Sequence, residues 1–225
     1  MHAELIEHTM SLLWYFIREH QSPSEDVRTV QLFGVRLFNA TASVLKLLLS
    51  GYYQTSLLQH RDLVETIFLL DYFRTDQSLI AEWRNSTEKV RREKFGPAAV
   101  RKALDKRDGF TTGKRGDSYK MFCELGAHPT YLGFHMLTDK PGGDIHTGPF
   151  FDPKSLKAGI EELARHLAQA GAVLVNLFPQ RPPDFNARLF FFETQGQWAE
   201  RFLGKPFDRS QIDELKKMAK VVAQR

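Results

Sequence analysis

Four ionisable side chains stand in helical sequence where apolar ones would be expected, and their spacing suits acid–base chemistry. Arg61 and Glu65 lie four apart within Tyr52 to Arg74, on the face that also carries Leu57, Leu58, Val64, Phe68 and Tyr72. Either charge buried alone would be strongly destabilising, so each requires a partner. The pair forms an ion pair along the helix rim, or it lines a polar pocket inside a bundle. Glu124 and His128 are again four apart, at the end of a helix. That spacing serves a carboxylate that orients a histidine base, or two metal ligands. It equally serves a histidine that caps its own helix end and does no chemistry. A metal there would draw further ligands from His135, Asp139, Asp144 and His146.

Other chemistries lack their signatures. There is no dinucleotide or phosphate-binding glycine motif, no Gly-x-Ser-x-Gly turn and no cysteine pair for zinc. No cofactor is expected. The single cysteine, Cys123, sits beside Phe122 and Leu125 and reads as a small buried residue, or as a nucleophile paired with His128. One cysteine in 225 residues excludes an internal disulfide framework and fits a reducing compartment. With Glu4, Glu7 and two histidines in the first nine residues, no signal peptide is read, and the expectation is a soluble, cytoplasmic protein. Arg61, Asp62, Glu65 and Asp71 interrupt the most apolar stretch, so no membrane span is expected.

Charge is unevenly distributed. The net charge is +4, but Arg84 to Lys120 holds twelve Lys or Arg against five Asp or Glu, leaving −3 on the remainder. A basic segment on a mildly acidic body is a footprint for nucleic-acid phosphates, or a solvated helix face with a basic loop. Only Phe95, Phe110 and Tyr119 interleave with these cations, too few for an extended stacking platform.

The elements that must position these residues are helices. Leu5, Ile6, Leu12, Leu13, Phe16 and Ile17 mark an amphipathic first helix. Ser22 as cap, Pro23 at the first turn and Glu25 in a capping box start a second, which uses Val30, Leu37, Val44, Leu45 and Leu48 and stops at Gly51. Tyr52 to Arg74 is apolar on nearly every side and belongs at the centre of a bundle. Helices near Gln77 to Lys94 and Pro97 to Lys106 follow, then a basic loop Arg107 to Gly116. Asp117 caps a helix to about Ala127, and Pro129 ends it. The glycine- and proline-rich stretch 128–152 is an insert, with Phe134 to Asp139 and Asp144 to Phe150 forming a short hairpin around Lys140-Pro141-Gly142-Gly143. Asp152-Pro153 opens a helix with a seven-residue rhythm through Leu156, Ile160, Leu163, Leu167, Leu174 and Leu177. Asp184 to Leu203 is the next helix. A last one, capped by Asp208 with Gln211, carries Ile212, Leu215, Met218 and Val222. The expected architecture is all-α: one domain over 1–225, a bundle of seven to nine helices with an insert at 128–152.

The motif order is distinctive: Arg61-Asp62-Leu63-Val64-Glu65, a helix bearing Trp83, then Tyr119, then Glu124-Leu125-Gly126-Ala127-His128-Pro129-Thr130, and Gly148-Pro149-Phe150-Phe151-Asp152-Pro153. It resembles a family of bacterial helical proteins of unknown function that is distantly HEPN-like, over about residues 45 to 178. The resemblance implies an RNA- or DNA-directed protein with His128 as general acid or base. HEPN ribonucleases set an arginine shortly before that histidine. Met121, Phe122 and Cys123 fill those positions here, so an arginine would have to come through space from Arg61.

Three functions are expected on these grounds. The first is nucleic-acid binding or ribonuclease-like cleavage, with His128, Arg61, Glu65 and Glu124 at the site and segment 84–120 on the phosphates. The second is a non-enzymatic module that homodimerises through Leu156 to Leu177 or the final apolar stripe. The third is a metal-dependent hydrolase on Glu124 and His128.

Overall fold

The computed structural model describes residues 1–140 and 142–223, is 77% helical, and contains no strand among the described residues, so the fold is all-α. The helices are α1 (His2–Arg18), α2 (Glu25–Leu49), α3 (Tyr53–Thr75), α4 (Ser78–Asn85), α5 (Glu88–Phe95), α6 (Pro97–Arg107), α7 (Lys114–Phe122), the single turn α8 (Tyr131–Phe134), α9 (Pro153–Val175), α10 (Phe185–Leu203) and α11 (Ser210–Ala223). Contacts group the chain into two compact units: Met1–Phe38 with the chain from Ala164 onward, and Asn39–Leu163.

In the first unit α10 packs against α1 and α11. Its core is built from Leu5, Leu12, Leu13 and Phe16 of α1, Leu167 and Leu174 of α9, and Phe191 and Trp198 of α10, all buried. The leucine rhythm of α9 is largely core: Leu163, Leu167 and Leu174 are buried, as is Leu177 just beyond the helix. The end of α9 is closed by Arg188, whose buried guanidinium donates to the carbonyls of Val175 (3.1 Å) and Phe178 (3.2 Å).

In the second unit α3 is central, packing against α6, α7 and a π-helical turn at Cys123–Ala127. Val64 and Phe68 of α3, Val100 and Leu104 of α6 and Phe122 of α7 form its core, flanked by Leu57, Leu69 and Tyr72. Burial on several sides is why α3 lacks a one-sided apolar pattern. At Gly126 an added Cβ would lie 2.6 Å from Leu57 Cβ and 3.1 Å from the Gln54 carbonyl. Gly126→Ala is therefore expected to lower stability by about 1–3 kcal/mol through overpacking. Gly116→Ala, which meets nothing within 4 Å inside α7, is the control and should be neutral or slightly stabilising by urea denaturation.

Several boundaries differ from the sequence reading, each for a local reason. α2 begins at Glu25 with Ser24, not Ser22, accepting from Val27 N–H (3.4 Å). The expected helix over Gln77 to Lys94 is two helices, because Thr87 caps the second by accepting from Val90 N–H (3.4 Å). α7 starts at Lys114, three residues before Asp117, after Gly113 turns the chain in the left-handed region (φ 65°). The hairpin reduces to one antiparallel bridge between Thr138 and Ile145, since Phe134 to Leu137 is helical. Pro141 of its turn and the side chains of Gln211 and Val222 lie outside the described residues. The start of α9 is as expected: Asp152 accepts from Lys154 N–H (3.2 Å) and Ser155 N–H (3.0 Å). An 18-residue window of α2 holds no more than two charged residues and has a mean hydropathy of 1.5, so by length and composition alone this helix could cross a membrane.

Candidate nucleic-acid interface

Pro97 at the first turn starts α6, and the helix places Arg101, Lys102, Asp105 and Lys106 on adjoining rows. Gly109 (φ 70°) and Gly113 (φ 65°) then reverse the chain so that α7 runs back beside α6. Between α6 and this loop lies a cleft of about 640 Å³, lined by Arg101, Lys102, Lys106, Phe110 and Thr111 among others.

Two acids of the basic segment, Asp105 and Asp108, hold this turn together. Arg115 bonds Asp105 (2.8 Å) and Asp108, and Arg107 bonds Asp108 (2.7 Å) and the buried Asp71 (2.9 Å). The hydrogen bond from Arg107 holds the Asp108 carboxyl down at about 2 despite some desolvation, with Arg115 assisting. Asp108 is thus ionised and committed throughout the neutral range. Arg101, Lys102 and Lys106 in the cleft have no carboxylate partner among the described residues, and neither do Lys89, Arg92 and Lys114 nearby. Nη1 of Arg101 is buried and donates to no acceptor among the described residues.

Arg101 also connects the cleft to the Arg61–Glu65 pair. Its guanidinium lies 3.9 Å from the Tyr119 ring centroid, and Arg61 lies 5.2 Å from the same ring. The Tyr119 hydroxyl donates to Glu65 Oε1 (2.6 Å) and accepts from Arg61 Nε (2.9 Å), which also bonds Glu65 (3.1 Å). Arg61 and Glu65 are a half-buried intrahelical ion pair, closed by a tyrosine from α7. Burial and the hydrogen bond to the Glu65 carboxylate push the Tyr119 hydroxyl up to about 12. Burial works against the Arg61 charge, but the bonds to Tyr119 and Glu65 more than offset it and raise its pKa.

Glu124 and His128 are placed apart from this cluster. Glu124 faces Lys120 (3.4 Å) at the surface. His128 is exposed; its N–H donates to the Cys123 carbonyl (2.8 Å), closing the π turn, and its own carbonyl accepts from Thr130 N–H (2.8 Å). No hydrogen bond joins the His128 ring to Arg61, Glu65 or Glu124 among the described residues. Nor do three or more His, Cys, Asp or Glu side chains converge on a metal-sized site among them. The structure thus joins two of the four expected site residues and leaves Glu124 and His128 outside their hydrogen-bonded cluster.

Three residues of this region carry roles that spacing alone did not reveal. Tyr119 and Arg101 are separated by 18 positions, and only the reversal at Gly109–Gly113 stacks one on the other. The third is His60, buried on α3 with its ring stacked on Phe122 (centroids 5.6 Å apart, 11° between planes). Desolvation lowers its pKa to about 4 from the usual 6.5. Between those values the unfolded chain binds the proton and the folded chain does not, so stability falls as pH drops. The His60 contribution is complete above about pH 6.5 and is lost towards pH 4, on the order of 3 kcal/mol. His60→Gln should flatten that stretch of the stability–pH curve in urea titrations. An unchanged slope would show that His60 is not the group responsible.

The chain matches no family model, no curated protein and no solved structure. The functional reading accordingly stands on geometry.

Proposed function

We propose that this protein binds nucleic acid through the phosphate backbone, at the cleft between α6 and the loop that leads into α7. The supporting observation is the set of three cations, Arg101, Lys102 and Lys106, that face the cleft without a carboxylate partner among the described residues, while Asp105 and Asp108 are committed to Arg115 and Arg107. Uncompensated cations along one cleft attract phosphates by displacing their counterions, and read no sequence in doing so. The HEPN-like resemblance points the same way and adds cleavage, with His128 as general acid or base and Arg61, Glu65 and Glu124 assisting. Cleavage would require imidazole and guanidinium at one phosphate. With Arg61 held by Glu65 and Tyr119 and with His128 exposed on the π turn, binding is the reading that the geometry supports best.

The test is fluorescence anisotropy with a labelled single-stranded RNA of about 20 nucleotides at about 50 mM salt, where backbone binding is strong. The same mixtures are run on a denaturing gel for wild type and His128→Ala. Saturable binding by both proteins, with intact RNA, is expected. Absence of binding would refute the proposal, and a product lost in His128→Ala would replace it with cleavage.

A further inference from the structure

The cleft between α6 and the loop into α7 is larger than backbone binding requires. Phosphates need only a charged rim, and Lys102 and Lys106, both exposed, supply one. Its volume of about 640 Å³ lies within the range of roughly 300–1,000 Å³ that encloses a small molecule. Among the described residues Phe110 is the one aromatic ring in the lining, and it is 40% exposed. The glycines of the lining leave room: a Cβ added at Gly109, Gly113 or Gly116 would meet nothing within 4 Å. The main chain at Phe110 is pinned, its N–H donating to the Asp105 carbonyl (2.8 Å). Arg115, held by Asp105 and Asp108, lies 5.2 Å from the ring centroid, and the ammonium of the exposed Lys114 lies 5.3 Å from it. An exposed ring flanked by cations, in an open cavity, suits a planar π system that carries negative charge.

We propose that this cleft, on the premise that it binds the phosphate backbone, also takes one unpaired nucleobase: the base stacks on Phe110 while Lys102, Lys106 and Lys114 hold the phosphates that flank it. The ligand is therefore single-stranded nucleic acid. One ring is too little for successive bases but enough for one, and stacking on it reads no sequence, because every base has a π face. A base within a duplex is already paired and stacked, and entering the cleft would cost its extrusion. Charge alone would favour the duplex, whose phosphates are the more densely spaced and release more counterions. Stacking on Phe110 reverses that order.

The test compares a labelled single-stranded RNA of about 20 nucleotides with the same strand annealed to its complement, by fluorescence anisotropy from about 50 to about 200 mM salt. Wild type is expected to bind the single strand at least about tenfold more tightly, the effect of one stacked base. Phe110→Ala should lose about tenfold on the single strand, keep its affinity for the duplex and keep the wild-type salt slope, since the ring carries no charge. Phe110→Trp should bind as wild type does, and circular dichroism of both variants should be unchanged, because the side chain is exposed. Equal wild-type affinity for the two RNAs, or a Phe110→Ala protein that binds the single strand as tightly as wild type, would overturn the inference and leave backbone binding intact, since its salt slope would persist. An equal loss on both RNAs would also overturn it, assigning Phe110 to the shape of the loop. Displacement of the strand by AMP at micromolar concentration would assign the cleft to a free nucleotide instead. A wild type that binds neither RNA would refute backbone binding, and the base site with it.

Discussion

Reversing the three cleft cations together, as Arg101→Glu, Lys102→Glu and Lys106→Glu, is expected to weaken binding to single-stranded RNA at least about a hundredfold at low salt. Hydrogen bonds to charged groups contribute about 1.5–3 kcal/mol each, so losing three and adding repulsion exceeds two decades in affinity. The acids nearby cannot compensate, since Asp105 and Asp108 are already spent on Arg115 and Arg107. Arg101 also stacks on Tyr119, so the triple variant touches the fold as well as the cleft. Lys102→Glu with Lys106→Glu leaves that stack intact, because both lysines are exposed, and should still lose about tenfold. Lys157→Glu, in the same unit, 76% exposed and outside the cleft lining, should bind as wild type does. Equal affinity for the double variant and wild type would remove the cleft from the account.

The second large effect concerns folding. Asp184→Ala should cost about 3–5 kcal/mol, because it breaks a buried polar cluster and leaves its partners unsatisfied. Asp184 is wholly buried; it accepts from the Tyr15 hydroxyl (3.0 Å), meets His20 Nδ1 (3.1 Å), and faces Arg181 (3.6 Å). Burial, then the bond to Asp184, pushes the Tyr15 hydroxyl up to about 12. For His20, desolvation outweighs the neighbouring carboxylate and lowers the pKa, so the ring is neutral at pH 7 and presents N–H to Asp184. Removing the carboxylate strands that donor and the tyrosine hydroxyl. Asp184→Asn keeps an acceptor and should lose markedly less. Urea midpoints of the two variants separate these costs, and a loss below about 1 kcal/mol for Asp184→Ala would show that water replaces the carboxylate.

The helical architecture was legible because apolar spacing reports it directly. The inward stripe of α2, the all-round apolar character of α3 and the Asp152-Pro153 start of α9 all appear in the structure as expected. What misled was polarity without a partner in view. Asp184 reads as a helix start, yet it anchors a buried cluster whose other members, Tyr15 and His20, lie more than 160 positions away. The break at Thr87 was hidden because a side-chain cap outweighed an otherwise continuous helical pattern. The Arg61–Glu65 pair was visible from its four-residue spacing, but Tyr119, which completes it, arrives only through tertiary packing. Likewise the excess of cations in 84–120 could be counted, whereas which of them remain uncompensated depends on where Asp71, Asp105 and Asp108 point. His60 went unnoticed beside Arg61, since nothing local distinguishes a buried histidine from an exposed one.

The central claim is that uncompensated cleft cations hold the phosphate backbone, and the slope of log K against log salt concentration measures it most directly. Each single-strand phosphate neutralised contributes about −0.7 to that slope. Wild type should therefore show a linear decrease with a slope of about −2 or steeper, and the triple variant should be shallower by about 2. A wild-type affinity that does not change with salt, or a triple variant with the wild-type slope, would contradict the account.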